Sequence, residues 1–109
     1  MNEIETESYA SVWDAIADTP EQAANLRTRA ELMQKIAAIV KESGWTQTEA
    51  AEAVGLDQPK VSHLLRGRLA GFSVDRLLSI LNRLGHSVEV RISAEEYDPE
   101  EAQTLVTVS

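Results

Sequence analysis

Apolar side chains in this chain recur in four helical stripes followed by one alternating run, and each stripe is preceded by a residue suited to start a helix. Leu26, Ala30, Met33, Ala37 and Val40, with Leu32, Ile36 and Ile39 beside them, keep the three-to-four spacing of an amphipathic helix. Thr19 is placed as its N-cap, and Pro20 takes the first helical position, where a missing N–H costs nothing. Gln22 is placed to bond back, completing a capping box, and Gly44 marks the stop because glycine adopts the left-handed conformation without a Cβ penalty.

Three shorter helices follow. Thr46 and Glu49 form a second capping box, with Trp45 placed to staple to Ala50, and this helix ends near Gly55. Asp57 caps the next, which carries Pro59 in its first turn, staples Leu56 to Val61 and runs to Gly67. Ser73 caps the fourth, "VDRLLSILNRLG", with Phe72 stapling to Leu77 and with Leu77, Leu78, Ile80, Leu81 and Leu84 as its buried face. After Gly85 the period shortens to two: "HSVEVRIS" alternates Val88, Val90 and Ile92 with Glu89 and Arg91, a half-buried strand. A lone strand is unstable, and three partners stay open: "TLVTV" near the C-terminus, the same strand of a two-fold mate, or an edge of another protein. Tyr9, Val12, Trp13 and Ile16 predict one more short amphipathic helix upstream, and "AEEYDPEEAQ" reads as a linker. The expected organisation is an acidic leader over residues 1–18, a helical domain over 19–86, and a strand with an acidic tail over 87–109.

The charge distribution changes the picture. The formal net charge is −8, yet residues 1–31 and 89–109 each carry −5, whereas residues 32–88 carry +2. The bases of that middle region are Lys35, Lys41, Lys60, Arg66, Arg68, Arg76 and Arg83. A polyanion is therefore repelled by the ends and tolerated by the centre.

Within that centre, residues 46–68, "TQTEAAEAVGLDQPKVSHLLRGR", satisfy the demands of a helix-turn-helix. Ala50 and Ala51 are small enough for close helix contact, and Gly55 opens the turn. Val54, Leu56, Val61, Leu64 and Leu65 supply apolar anchors, and Gln58, Lys60, Ser62, His63 and Arg66 are left on or beside the other face. The same residues resemble the helix-turn-helix of the xenobiotic-response-element (XRE) group, which includes phage repressors and Cro proteins. The wider run from Gln58 through Val90, behind a short acidic leader, is similar to compact HigA-like antitoxins.

The resemblance implies a mainly α, lambda-repressor-like bundle of four core helices, with a short N-terminal helix and a C-terminal β-strand. It also implies that Gln47 touches a phosphate while Gln58, Lys60, Ser62 and His63 face base edges. Glutamine pairs bidentately with adenine and lysine donates to guanine O6 and N7, so the chemistry agrees. Arg66 and Arg68, flanking Gly67, suit phosphates, and Pro59, where the family usually has a polar residue, suits a thymine methyl. A lone exposed histidine such as His63 is equally an ordinary surface residue, and two capped helices around a glycine also occur in plain bundles. Tyr9 and Trp13 either pack on the chain's own helices or face a protein partner.

Other function classes lack their residues. There is no cysteine, and the two histidines, His63 and His86, are far apart with no nucleophile motif or phosphate-cradling glycine loop near them. No catalysis, cofactor or metal is expected; "EEYDPEE" lacks the spacing and glycine of a calcium loop. The N-terminus is acidic where a signal peptide is basic, and no apolar run approaches the roughly 18 residues of a membrane span, so a cytoplasmic protein held at the nucleoid through DNA is expected. The reading that follows is a sequence-specific repressor, a homodimer on a palindromic operator of double-stranded DNA. In its HigA-like version it is an autoregulating antitoxin paired with a small basic RelE/HigB-like toxin. The alternatives are a free-standing repressor without a toxin and a protein-neutralising module that no longer binds DNA.

Overall fold

Four helices and a two-stranded ladder make up the computed structural model, which describes residues 18–92, Ala94 and the backbone of Thr107 and Val108. The leader helix with Tyr9 and Trp13, and the acidic linker, lie outside the described residues. α1 spans Pro20–Ser43, α2 Gln47–Val54, α3 Gln58–Leu65 and α4 Val74–Arg83; β1 is Val88–Glu89 and β2 Thr107–Val108. The chain is mainly α, as its periodicity predicts.

The helix starts follow the caps. Thr19, Thr46, Asp57 and Ser73 each accept, through a side-chain oxygen, the backbone N–H three residues on, which satisfies a donor that has no partner inside its own helix. The return half of the first box differs from expectation. Gln22 Oε1 accepts from the Asp18 N–H at 2.8 Å, one residue before the cap, so only the box at Thr46 closes on its cap residue. α3 and α4 also stop earlier than Gly67 and Gly85, at Leu65 and Arg83, with Arg66 and Leu84 as their C-caps.

α1 is the axis of the bundle and packs against α4 and α3, while α2 packs on α3 and α4. Leu32, Met33, Ile36 and Val40 of α1 meet Leu77, Ile80 and Leu81 of α4 in one buried cluster. Ala50 and Val54 of α2, Val61 and Leu64 of α3, and Leu69 and Phe72 of the following loop complete it. The buried Thr28 hydroxyl donates to Ala24 O at 2.9 Å and so carries no orphaned donor. Arg29 ties the loop after α3 to α1, donating from Nη1 to Leu69 O and Phe72 O, both at 3.3 Å, and from Nε to Asn25 Oδ1 at 2.9 Å.

β1 pairs antiparallel with β2, Val88 opposite Val108 and Glu89 opposite Thr107, which selects the C-terminal segment among the three open partners. The half-burial expected of Val90 and Ile92 is not found: they stand 63% and 92% exposed. The ladder ends at Glu89, and only Val88 is close enough to α4 to pack on the core. Trp45 is 36% exposed and Ala50 is buried, and the start of α2 carries the capping hydrogen bonds of Thr46 and Glu49. Among the described residues no helix is long and apolar enough to cross a membrane.

Candidate nucleic-acid interface

α2 and α3 are joined by Gly55, Leu56 and Asp57, and both ends of the joint are fixed by side chains. At the start of α2, Glu49 N–H donates to Thr46 Oγ1 at 3.1 Å and Thr46 N–H donates to Glu49 Oε1 at 2.8 Å. At the start of α3, Lys60 N–H donates to Asp57 Oδ1 at 2.8 Å, and Pro59 has no N–H to satisfy. α2 ends on Gly55 at φ 75°, where the N–H groups of Gly55 and Leu56 both reach Ala51 O. Arg83 crosses from α4 to this end, donating Nε to Ala53 O at 3.0 Å and Nη2 to Glu52 O at 3.3 Å. A cation thus meets the negative end of the α2 dipole and takes up carbonyls that the helix leaves unpaired.

α3 has two faces. Val61 and Leu64 are completely buried, and Leu56 and Leu65 pack against the same core. On the other side Gln58, Pro59, Lys60 and His63 are exposed, Ser62 is half-buried at the margin, and Gln47 is exposed at the first position of α2. Gln58 Nε2 donates to Thr48 Oγ1 at 3.0 Å. After α3, Gly67 at φ 74° closes the turn: its N–H reaches Leu64 O at 3.1 Å and the Arg68 N–H reaches His63 O at 3.0 Å. This paired bonding around a left-handed glycine is a Schellman motif, and it leaves Arg66 and Arg68 exposed on either side of the turn.

The cations divide by use. Arg29, Arg76 and Arg83 donate to backbone carbonyls of the fold. Among the described residues, no hydrogen bond or ion pair takes up the side chains of Lys60, Arg66 and Arg68. The positive groups around α3 are therefore available to an anion from outside. No group of three or more metal-ligating side chains occurs among the described residues.

Residues 15–93 match the model of a family described as "Helix-turn-helix domain". The chain belongs to this helix-turn-helix family. It is also similar to a solved structure called "Putative XRE Family Transcriptional Regulator", with 33% sequence identity and a TM-score of 0.72 over 80% of this chain and 98% of that one. That likeness supports the XRE type of the motif. No curated protein matches the chain.

In this helix-turn-helix protein, six of the eight side chains expected at DNA cluster along α3 and its following turn as exposed groups: Gln58, Pro59, Lys60, His63, Arg66 and Arg68. Ser62 lies at the margin of that face, and Gln47 stands on the neighbouring helix. The set offers donors and acceptors of the kind that base edges bind, beside cations of the kind that phosphates bind. Two residues that shape the interface are not singled out by the sequence. Thr48 carries a weak signal, since it and Gln58 both lie in the first turns of consecutive helices, ten positions apart. Arg83 carries none, because its carbonyl partners are 30 and 31 positions away and it counts in the sequence only as one more positive charge.

Proposed function

We propose that this protein is a sequence-specific transcriptional repressor that places α3 in the major groove of double-stranded DNA. The observation that carries the reading is the division of α3 into a buried anchor face and an exposed polar face edged by cations that no acceptor in the described fold takes up. Gln58, Lys60, Ser62 and His63 read base edges, Pro59 touches a thymine methyl, and Gln47, Arg66 and Arg68 bind phosphates. The reading unit is the helical domain of residues 19–86. One helix reads only a few base pairs, so two copies bind a palindromic operator with half-sites about 34 Å apart.

The finer version is an autoregulating antitoxin, with a small basic RelE/HigB-like RNA-cleaving toxin as partner. Supporting it are the HigA-like run from Gln58 through Val90 and the two flanks of charge −5, which suit a cationic protein. The fluorescence anisotropy of the full chain on its own promoter duplex and on a scrambled duplex, over a salt series, tests the reading. A preference for the promoter that Lys60→Ala lowers is the expected result; equal binding to both duplexes, or none at low salt, overturns it. Growth rescue of cells expressing the adjacent small basic reading frame tests the antitoxin role separately, since a free-standing repressor gives no rescue.

A further inference from the structure

We propose that the chain's own leader docks back on the core, with Tyr9, Val12, Trp13 and Ile16 filling the groove between α1, α4 and β1. That groove has a volume of about 420 Å³ and is lined by Ala24 and Leu32 of α1, Val74 and Leu78 of α4, and Val88 and Val90. A mainly apolar hollow of this size marks a docking surface. Val90 gives a second sign: it alternates with Val88 as a residue of a buried face does, yet it stands 63% exposed. A cover from outside the described residues accounts for both.

Residues 1–17 lie outside the described residues, and they join the core at one end of this groove, where Glu21 of the first turn of α1 lines it. Only Ala17, Asp18 and Thr19 separate Ile16 from Pro20, a length within the roughly two to five residues that join antiparallel helices. The entry to α1 is held, with Thr19 extended and the Asp18 N–H donating to Gln22 Oε1. Folding back there lays the leader antiparallel along α1, with Ile16 near Glu21, Trp13 beside Ala24 and Tyr9 toward Leu32. As a helix, Tyr9 to Ile16 rises about 10 Å against about 16 Å from Glu21 to Leu32 on the groove wall, so the stripe fits within it.

The chemistry matches as well. The four residues of the stripe carry no charge, and at helical spacing the acids Glu7 and Asp14 fall on the other side. Tyr9 and Trp13 bring an O–H and an N–H donor. The exposed carboxylates of Glu21 and Glu89 line the groove, and no hydrogen bond or ion pair among the described residues takes them up. A tether this short presents the leader at roughly millimolar effective concentration, which favours it over a second copy arriving from solution. A protein that takes Tyr9 and Trp13 for itself must first uncover the groove, and none of this depends on α3 reading DNA.

The full chain with Trp45→Phe keeps Trp13 as its single indole and reports on the docking by fluorescence. Its emission is expected to lie to the blue of the urea-unfolded chain, with acrylamide quenching several-fold weaker, both where sedimentation shows a monomer and above that concentration. Val90→Asp puts a carboxylate in the groove at an exposed position, and is expected to shift the emission to the red and raise the quenching while circular dichroism retains the helices. Proximity is read separately, because the chain has no cysteine of its own. A nitroxide on Val90→Cys is expected to quench Trp13, and the same label on Glu42→Cys, near the far end of α1, to leave it bright. A Trp13 as exposed in buffer as in urea overturns the inference. Shielding that survives Val90→Asp, or a label at Val90 that quenches no more than one at Glu42, places the leader elsewhere and overturns it too. Shielding found only above the monomer range gives the groove to a second copy and overturns it in favour of that occupant.

Discussion

Arg83 on α4 closes the C-terminal end of α2 by donating Nε to Ala53 O at 3.0 Å, across 30 residues of sequence. A Cβ on Gly55 would lie 2.9 Å from the same Nε, so the arginine side chain would have to shift to admit it. Gly55 is favoured by its φ of 75°, and a side chain there would also displace the arginine.

Replacing Arg83 by alanine is expected to cost about 1 kcal/mol of stability, the net worth of an exposed charge-assisted hydrogen bond at a helix terminus. Gly55→Ala should cost more, about 1–2 kcal/mol from the left-handed backbone alone, with the arginine contact added. Chemical denaturation of both single variants and the double variant checks the coupling. The double variant should lose less than the sum, because removing Arg83 relieves the clash and leaves the backbone penalty and the lost Arg83 hydrogen bonds.

The caps of the two short helices are expected to matter individually. Thr46→Ala and Asp57→Ala should each lower stability by about 1 kcal/mol, while Asp57→Asn keeps the cap and costs only a fraction of that. Thermal unfolding followed by circular dichroism separates these outcomes.

A cavity under α3 should be costly. Leu64 is completely buried among side chains of the core cluster, so Leu64→Ala is expected to lose about 2–5 kcal/mol. Urea denaturation measures it, and a loss under 1 kcal/mol would mean that the site collapses around the smaller side chain.

Arg66→Ala and Arg68→Ala are expected to weaken binding to every duplex alike. Each should reduce the slope of log affinity against log salt by about 0.9, the value for one phosphate contact. A change of base preference in place of a change of slope would move these residues from the phosphates to the base edges.

Charge on the C-terminal segment should oppose DNA. Changing Glu95, Glu96, Glu100 and Glu101 to glutamine removes four negative charges and is expected to strengthen binding to random duplex while leaving the preferred sequence unchanged. Anisotropy at low and moderate salt reads this directly, and weaker binding would show that the acidic flank has another task.

The helical fold was legible because its signals are local. Thr46 and Glu49 lie three positions apart, Asp57 and Lys60 likewise, and Leu77, Leu81 and Leu84 follow from one helical period. The exposed face of α3 was legible for the same reason, since burying Val61 and Leu64 leaves Gln58, Lys60 and His63 outward. What depended on distant partners was not. The alternation of Val88, Val90 and Ile92 marks a strand but says nothing of where the ladder stops, which is set by Thr107 and Val108 some 18 to 20 positions on. The Arg83 bridge and the Thr48 bond to Gln58 join side chains whose meeting is set by the packing of whole helices.

α2 and α3 contain eight residues each, about 12 Å of helix, well below the length at which an isolated helix holds together in water. Nucleation of either turn costs more than its few internal hydrogen bonds return, so both exist only while the core beneath them is closed. The proposed reading surface and the fold therefore appear and vanish as one cooperative unit. A molecule in solution carries the whole of α2 and α3 or none of them, and a partial loss of stability is expected to lower the number of competent molecules without altering the base preference of each.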